Sequence, residues 1–171
     1  ATSNFVAFMR DSIDGRRSEP RGALQAAEEA AEEAGDRLST DEMITTCILL
    51  LNAGHEATVH TLGNAVKLAL ETGRRPGGDA APFVEEVLRY DPPLHLFTRW
   101  AYEDVEIHGH RFRRGDEVGL LLASAGRDGA AYAQAESFVP DRSEGPANLA
   151  FGAGLHFCVG APLARLEMQI A

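Results

Sequence analysis

One segment of this chain is predicted to form a helix long enough to cross a whole domain. Ser39 and Glu42, three residues apart, match a capping box, which predicts the start of a helix. Gly73 predicts its end, because glycine readily adopts the left-handed backbone that closes a helix. At 1.5 Å per residue, a helix over residues 39–73 spans about 50 Å. The fold must therefore be built around this helix.

The middle of this helix contains residues that lower helix stability unless something compensates for them. Residues 53–58 are Ala-Gly-His-Glu-Ala-Thr, where Gly costs about 1 kcal/mol relative to Ala and a buried Glu costs more unless it is paired. Gly54 therefore indicates either a close helix crossing or a functional site. A zinc site of the H-E-x-x-H type is rejected, because His60 follows His55 by five residues and the two rings point about 140° apart.

The composition narrows the class of protein. The 171 residues are 44% hydrophobic and 25% charged, with a formal net charge of −10. This is typical of a globular domain, and it argues against nucleic-acid binding, which depends on clustered Lys and Arg. The most apolar run, Ile44 to Ala53, is shorter than the roughly 20 residues of a membrane span. Cys47 and Cys158 form no disulfide framework. We expect a cytoplasmic protein that binds no membrane.

Residues 1 to about 91 have mostly helical spacing, and residues 92–171 are richer in turns. Before the long helix, Phe5 to Arg17 is predicted to form an amphipathic helix. Ala23 to Glu33 is predicted to form a solvated or frayed helix. The apolar stripe expected on the first helix consists of Phe5, Phe8, Met9 and Ile13.

A short helix carrying Glu86 and Arg89 follows, and it must end near residues 91–93, Asp-Pro-Pro, because residues before proline avoid the helical region. The two charges can pair at i,i+3. Taken alone, such a pair indicates only a solvated helix face and adds tenths of a kcal/mol. Farther on, Val105 to Ile107 and Val118 to Ala123 predict a small sheet with a hairpin.

Residues 151–160, Phe-Gly-Ala-Gly-Leu-His-Phe-Cys-Val-Gly, form the most informative segment. A dinucleotide-binding loop is rejected, because Phe157 stands where the third glycine is needed. Cys158 lies just before a helix predicted to start at Pro162, and the N-terminus of a helix favours a thiolate. A stabilised thiolate is a good iron ligand. The alternative, a small apolar side chain in the core, fits Cys47 better.

These ten residues resemble the heme-binding signature of the cytochrome P450 family, F-x-x-G-x-H/R-x-C-x-G, at every specified position. The resemblance runs from about residue 36 to 171 and implies the C-terminal portion of that mainly α (α+β) fold. The chain would then be part of one catalytic domain that lacks its N-terminal half and extreme C-terminus. Its landmarks would be the long central helix, 39–73, and the heme-thiolate loop with its helix, 151–171.

The resemblance implies that Cys158 is the axial ligand of iron in heme b, iron protoporphyrin IX, and that Phe151 shields its sulfur. Arg99 and His156 match positions that hold the heme propionates. The other expected cofactor contacts are Gly152, Gly160 and Ala53.

The resemblance also implies roles on the central helix and beside it. Gly54 would leave room above the iron, and Glu56 would help to relay protons. Ala57 departs from the family, since most members have Thr there, and Thr58 is one step around the helix. A loop that faces substrate would contain His95, Leu96 and Phe97. A supporting Glu-Arg-Arg network would consist of Glu86, Arg89 and Arg142.

The implied function is that of a heme-dependent oxidoreductase, a monooxygenase that inserts one oxygen atom from dioxygen into a small apolar organic substrate. Its electrons would come from a ferredoxin or flavodoxin with a reductase. Two alternatives stay open. One is a truncated, catalytically inactive fragment. The other is a peroxide-using heme-thiolate enzyme, which the departure at Ala57 allows.

Overall fold

The computed structural model describes residues 2–17 and 38–171, so the Ala- and Glu-rich stretch 23–33 lies outside the described residues. The chain divides into two compact units, Ala1–Ala53 and Gly54–Ala171. The helices are α1 Thr2–Arg17, α2 Thr40–Thr72, α3 Ala81–Tyr90, α4 Leu122–Gly126 and α5 Ala161–Ile170, with a 3-10 turn at Gly154–His156. The strands are β1 Leu96–Trp100, β2 Val105–Ile107, β3 His110–Phe112 and β4 Glu117–Leu121. This helix-rich architecture with small sheets confirms the predicted α+β class.

In the first unit, α1 packs against the start of α2. Met43 and Ile44 are buried there, and the partly buried residues packed on them are Val6, Met9, Cys47 and Ile48. The predicted stripe on α1 is wrong for Phe8, which is 63% exposed, because Val6 and Met9 make the contact instead. The side chain of Ile13 lies outside the described part of α1. Cys47 serves as a small apolar side chain, as predicted.

The termini of α2 have the predicted chemistry. Glu42 accepts a hydrogen bond from the N–H of Ser39 at 2.8 Å, and the N–H of Glu42 donates to the Ser39 hydroxyl at 3.3 Å. These bonds from Ser39 lower the pKa of Glu42. The helix ends at Thr72, and Gly73 follows with φ of +69°. No helix within residues 2–17 and 38–171 has the length and apolar character needed to cross a bilayer.

In the second unit, α3 contributes to two apolar clusters. Phe83 and Val87 pack with Leu68 and Phe138. On another side of α3, Val84 and Leu88 pack with Met168, and the partly buried residues packed on them are Leu62, Ala150, Phe151 and Ala164. The helix ends at Tyr90, before Asp91 and Pro92, as predicted. Because α3 contacts the core on more than one side, its side chains are placed with little freedom.

The sheet prediction is partly wrong. Val105–Ile107 pairs with His110–Phe112 and not with the later run, because His108 and Gly109, at φ of +50° and +77°, make a tight two-residue turn. The later strand, Glu117–Leu121, pairs antiparallel with Leu96–Trp100. Its last predicted residues, 122–123, begin α4 instead. The predicted substrate-facing segment is only partly a loop, because Leu96 and Phe97 belong to β1 and His95 lies just before it.

Candidate functional site

The charge pair on α3 is buried. Arg89 donates two hydrogen bonds to Glu86, Nε to Oε2 and Nη2 to Oε1, both at 2.7 Å. Both side chains are only 3% exposed. The pair therefore does not lie on a solvated helix face, which is what its spacing taken alone indicates. A buried ion pair is tolerated only when the rest of its polar atoms are satisfied.

Arg142 and several backbone groups satisfy the remaining atoms of this pair. Arg142 Nε donates to Glu86 Oε2 at 3.1 Å, and the N–H of Val139 donates to Glu86 Oε1 at 2.7 Å. Arg89 donates to backbone carbonyls at 2.6 to 2.9 Å, those of Gly126, Ala135 and Ser137. We call Glu86, Arg89 and Arg142 the Glu86 network. It fixes the loop after α4 to α3.

The Glu86 network keeps its carboxylate ionised. Burial alone would raise the pKa of Glu86, but hydrogen bonds from Arg89, Val139 and Arg142, together with the charge of Arg89, lower it below its ordinary value. Gly126 is needed for this packing, because a Cβ there would lie 2.1 Å from the Arg89 carbonyl oxygen. The network is therefore a tightly fitted structural element.

The loop that precedes α5 folds back on itself through its own backbone. The N–H of Cys158 donates to the carbonyl of Phe151 at 3.0 Å, and that of Phe157 donates to Gly154 at 3.0 Å. Gly152 and Gly154 have φ of +73° and +71°, values that favour glycine. We call residues 151–160 the Cys158 loop. The first residue of the loop, Phe151, is thus hydrogen bonded directly to the residue that carries the thiol.

The thiol of Cys158 is exposed beside the start of α5. The carbonyl of Cys158 accepts from the N–H of Ala161 at 3.2 Å, and Pro162 lies in the first turn, as predicted. A Cβ on Gly160 would lie 3.9 Å from the Cys158 sulfur, so this glycine leaves that side open.

The large apolar side chains that neighbour Cys158 in its loop are exposed. Leu155 is 96% exposed and Val159 is 90% exposed, while Phe157 is about half exposed. Large apolar side chains concentrated on a surface mark a place where another apolar group binds. A sulfur donor flanked by apolar side chains and glycines fits a heme, which needs a thiolate ligand and an apolar surface against its ring. The residues present therefore fit this cofactor.

The predicted residues of the central helix lie within α2. A Cβ on Gly54 would meet no heavy atom within 4 Å, so there is open space at this position. The hydroxyl of Thr58 donates to the Gly54 carbonyl at 3.1 Å. Glu56 Oε1 lies 3.8 Å from His60 Nε2, and both side chains are exposed. Sequence reasoning missed this pair, although its i,i+4 spacing indicates it. Ala53 is the last residue of the first unit.

The other predicted site residues are exposed. Arg99, on β1, donates to the Thr98 carbonyl at 2.9 Å and lies with its guanidinium 5.6 Å from the centre of the Phe97 ring. His156 lies in the 3-10 turn of the Cys158 loop. His95 Nε2 is 3.7 Å from Asp91 Oδ1. Leu96 and Phe97 lie in β1, paired with Leu121 and Leu120.

The structure therefore forms two assemblies from the predicted residues: the Glu86 network, and the Cys158 loop with Phe151, Gly152 and Gly160. Sequence reasoning missed a third group, in which Asn148 and Arg165 both donate hydrogen bonds to Glu85. Asn148 is 63 positions from Glu85 along the chain and Arg165 is 80 positions from it, and no local spacing signals such contacts.

Comparison with known proteins places these features in context. The sequence profile of the family described as Cytochrome P450 matches residues 81–171. The chain is 39% identical to Cytochrome P450 109 of Bacillus spizizenii, across 96% of this chain and 42% of that protein.

Solved structures agree with this match. CYP164A2 of Mycobacterium smegmatis with econazole bound is 43% identical and superimposes with a TM-score of 0.84, covering 98% of this chain and 43% of that one. P450BioI in complex with an acyl carrier protein ligated to hexadec-9Z-enoic acid is 36% identical, with a TM-score of 0.87 over 99% of this chain and 45% of that one. The chain spans less than half the length of these relatives.

Proposed function

The chain belongs to the cytochrome P450 family, and on that premise we propose that it contributes the heme-thiolate half of a monooxygenase. The activity is that of a heme-dependent oxidoreductase inserting one oxygen atom from dioxygen into a small apolar organic substrate. The observation that carries this proposal is that Cys158 is exposed, that its N–H donates to the Phe151 carbonyl, and that the large apolar side chains next to it in its loop are exposed. The match to the family over residues 81–171 supports it.

Heme b, when bound, supplies the iron that activates oxygen, a reaction the side chains cannot perform themselves. The part of the protein is to bind and orient this group. Cys158 provides the sulfur ligand, and the backbone of its loop holds that sulfur in place. Arg99 and His156, both exposed, would bind the propionates. Phe151, Gly152, Gly160 and Ala53 are the other residues that would hold the cofactor.

Residues of α2 are proposed to leave room for oxygen and to relay protons. Gly54 leaves open space, as a Cβ there would touch nothing within 4 Å. The exposed carboxylate of Glu56 would help to relay protons from solvent. His95, Leu96 and Phe97 face the substrate, and the apolar surface of the last two fits an apolar compound.

We propose that the partners are a ferredoxin or flavodoxin with its reductase, and a small apolar substrate. A cytoplasmic location is consistent with such electron donors. P450BioI, one of the similar proteins, was solved with a fatty acid carried on an acyl carrier protein. Free hexadec-9Z-enoic acid is therefore a reasonable first compound to test.

A second candidate function, peroxide-dependent oxidation, is favoured by two observations on α2. Ala57 has no hydroxyl at the position where the resemblance to the family implies Thr. The adjacent Thr58 does not replace it, because its hydroxyl donates to the Gly54 carbonyl at 3.1 Å. Without a hydroxyl at this position, proton delivery from this part of α2 would depend on Glu56, a substrate group or water. Direct use of peroxide removes that requirement.

One labelling experiment separates these functions. Heme-loaded protein is incubated with hexadec-9Z-enoic acid and related apolar compounds, either with reductant and isotopically labelled dioxygen or with labelled hydrogen peroxide alone. The monooxygenase proposal predicts one labelled atom from dioxygen in the product, and only when reductant is present. Label from peroxide without reductant supports the second candidate. Heme-loaded protein that oxygenates none of the compounds in either condition contradicts both and supports an inactive fragment.

A further inference from the structure

Two adjacent carboxylates on α3 point into different surroundings. Glu86 belongs to the buried network, whereas Glu85 reaches toward the segment before the Cys158 loop and toward α5. Glu85 Oε1 accepts from Arg165 Nε at 2.5 Å, and Oε2 accepts from Arg165 Nη2 at 3.3 Å. Glu85 Oε2 also accepts from the side-chain amide of Asn148 at 2.8 Å. One carboxylate thus binds residues on both flanks of the Cys158 loop.

The first connection enters the loop through Asn148. The amide nitrogen of Asn148 donates to Glu85, and its amide oxygen accepts from the N–H of Ala150 at 3.1 Å. Both halves of this side chain are therefore engaged. Ala150 is the residue directly before Phe151. Glu85 consequently fixes the backbone at the point where the Cys158 loop begins.

The second connection reaches the ring of Phe151 through Arg165. The Arg165 guanidinium lies 4.5 Å from the centre of that ring, a distance suited to a cation–π contact. Phe151 also packs on the cluster of Val84, Leu88 and Met168. The carbonyl of Phe151 accepts the hydrogen bond from the N–H of Cys158. The position of Phe151 therefore decides the position of Cys158.

We propose that Glu85 is a positioning residue for the Cys158 thiolate, acting through Asn148 on the backbone before Phe151 and through Arg165 on its ring. This inference rests on the proposed function, since it gives the thiolate an iron to bind. The Glu85–Arg165 pair is partly exposed, with 40% and 30% of the side chains accessible, so its contribution to overall stability is modest. Its main effect is on the geometry of one loop.

The test compares Glu85→Gln with Glu136→Gln. Glu136 is a matched control, because it also pairs with an arginine, at 3.3 Å, and that partner, Arg127, is not a residue of the Cys158 loop or of its flanks. Hydrogen exchange at the Cys158 amide is measured on the protein before and after loading with heme. Loss of a partly exposed ion pair and of one hydrogen bond predicts roughly threefold to tenfold faster exchange in Glu85→Gln. The control leaves that exchange unchanged.

A second readout follows the ligand itself. In the reduced, carbon monoxide-bound protein, Glu85→Gln is expected to convert from the red-shifted thiolate-type Soret band to the thiol type several times faster than the control, at similar heme content. Arg165→Gln breaks the same ion pair and should change both readouts in the same direction as Glu85→Gln, which provides the test of the connection through Phe151 if the first variant does not fold.

The outcomes separate the two proposals. If unmutated protein lacks the thiolate-type band, the proposed function fails, while the exchange comparison still decides whether Glu85 positions the loop. If the band is present but Glu85→Gln and Glu136→Gln have the same Cys158 exchange and the same band conversion, the inference about Glu85 is overturned and the proposed function stands.

Discussion

The Glu86 network and the Cys158 loop differ in whether the protein buries their side chains and supplies all of their contacts. Glu86 and Arg89 are charged, yet they are 3% exposed and every bond they need comes from this chain. Phe157, Cys158 and Val159 are apolar or nearly so, yet all are exposed. At these two places, charged side chains are buried and apolar side chains are exposed.

This contrast distinguishes a structural element from a binding surface. Buried charges persist only where the fold has paired them completely, so the Glu86 network is complete as it stands. Exposed apolar side chains around a sulfur donor are stabilised when another group covers them. We therefore propose that the Cys158 loop is a surface for a bound group, whereas the Glu86 network supports the scaffold.

The largest expected effect is on the scaffold. Glu86→Ala leaves Arg89 buried without its partner, and breaking a buried pair in this way costs about 3–5 kcal/mol. We expect a decrease of that size in the free energy of unfolding, measured by urea denaturation. Glu136→Ala, which breaks an exposed pair, should cost about 1 kcal/mol or less. Equal losses in the two variants would show that the Glu86 network has no special structural role.

Acid should weaken the same network. Because the pKa of Glu86 is lowered in the folded protein, its contribution to stability is fully present above the ordinary value of 4.5. That contribution is lost as the pH falls below 4.5 toward the lowered pKa of the folded state. In unfolding experiments below this pH, Glu86→Gln should lose less stability on further acidification than unmutated protein does. If the stability of the two proteins changed with pH in parallel, the assignment of this pH dependence to Glu86 would be contradicted.

A smaller effect is expected within the loop backbone. Gly152 has φ of +73°, so Gly152→Ala should cost about 1–2 kcal/mol of stability. Gly160 has φ of −83° and room for a Cβ at 3.9 Å from the Cys158 sulfur, so Gly160→Ala should cost less. Thermal unfolding of the two variants provides the comparison. A greater loss for Gly160→Ala would mean that contact with the sulfur, and not backbone conformation, limits the loop.

The smallest effect is expected at the thiol. Cys158 is exposed, so Cys158→Ser should change the free energy of unfolding of heme-free protein by no more than about 0.5 kcal/mol. Urea denaturation without heme measures this. A loss of several kcal/mol would place Cys158 in the core and remove the contrast with the Glu86 network.

Local patterns predicted the local features well. The capping box of Ser39 and Glu42, the end of α2 at Gly73 and the end of α3 before Pro92 all depend on a few neighbouring residues, and all are confirmed. The Cys158 loop was also recognised from ten consecutive residues. Such features depend on backbone preferences that the sequence shows directly.

Contacts between distant residues were much harder to predict. The i,i+3 spacing of Glu86 and Arg89 did not show whether the pair was buried, because burial depends on Val139 and on carbonyls more than 30 positions away. The strand partner of Glu117–Leu121 was missed for the same reason, since pairing with β1 is not a local property. Glu85, Asn148 and Arg165 meet only in the folded chain.

The most direct test of the account is the absorption spectrum of heme-loaded protein after reduction and addition of carbon monoxide, for unmutated protein, Cys158→Ser and Cys47→Ser. Cys47 is the matched control, because it packs as an apolar side chain in the first unit. The account predicts a red-shifted thiolate-type Soret band in unmutated protein and in Cys47→Ser, and its loss in Cys158→Ser. A thiolate-type band that survives in Cys158→Ser, or no such band in unmutated protein, would contradict it.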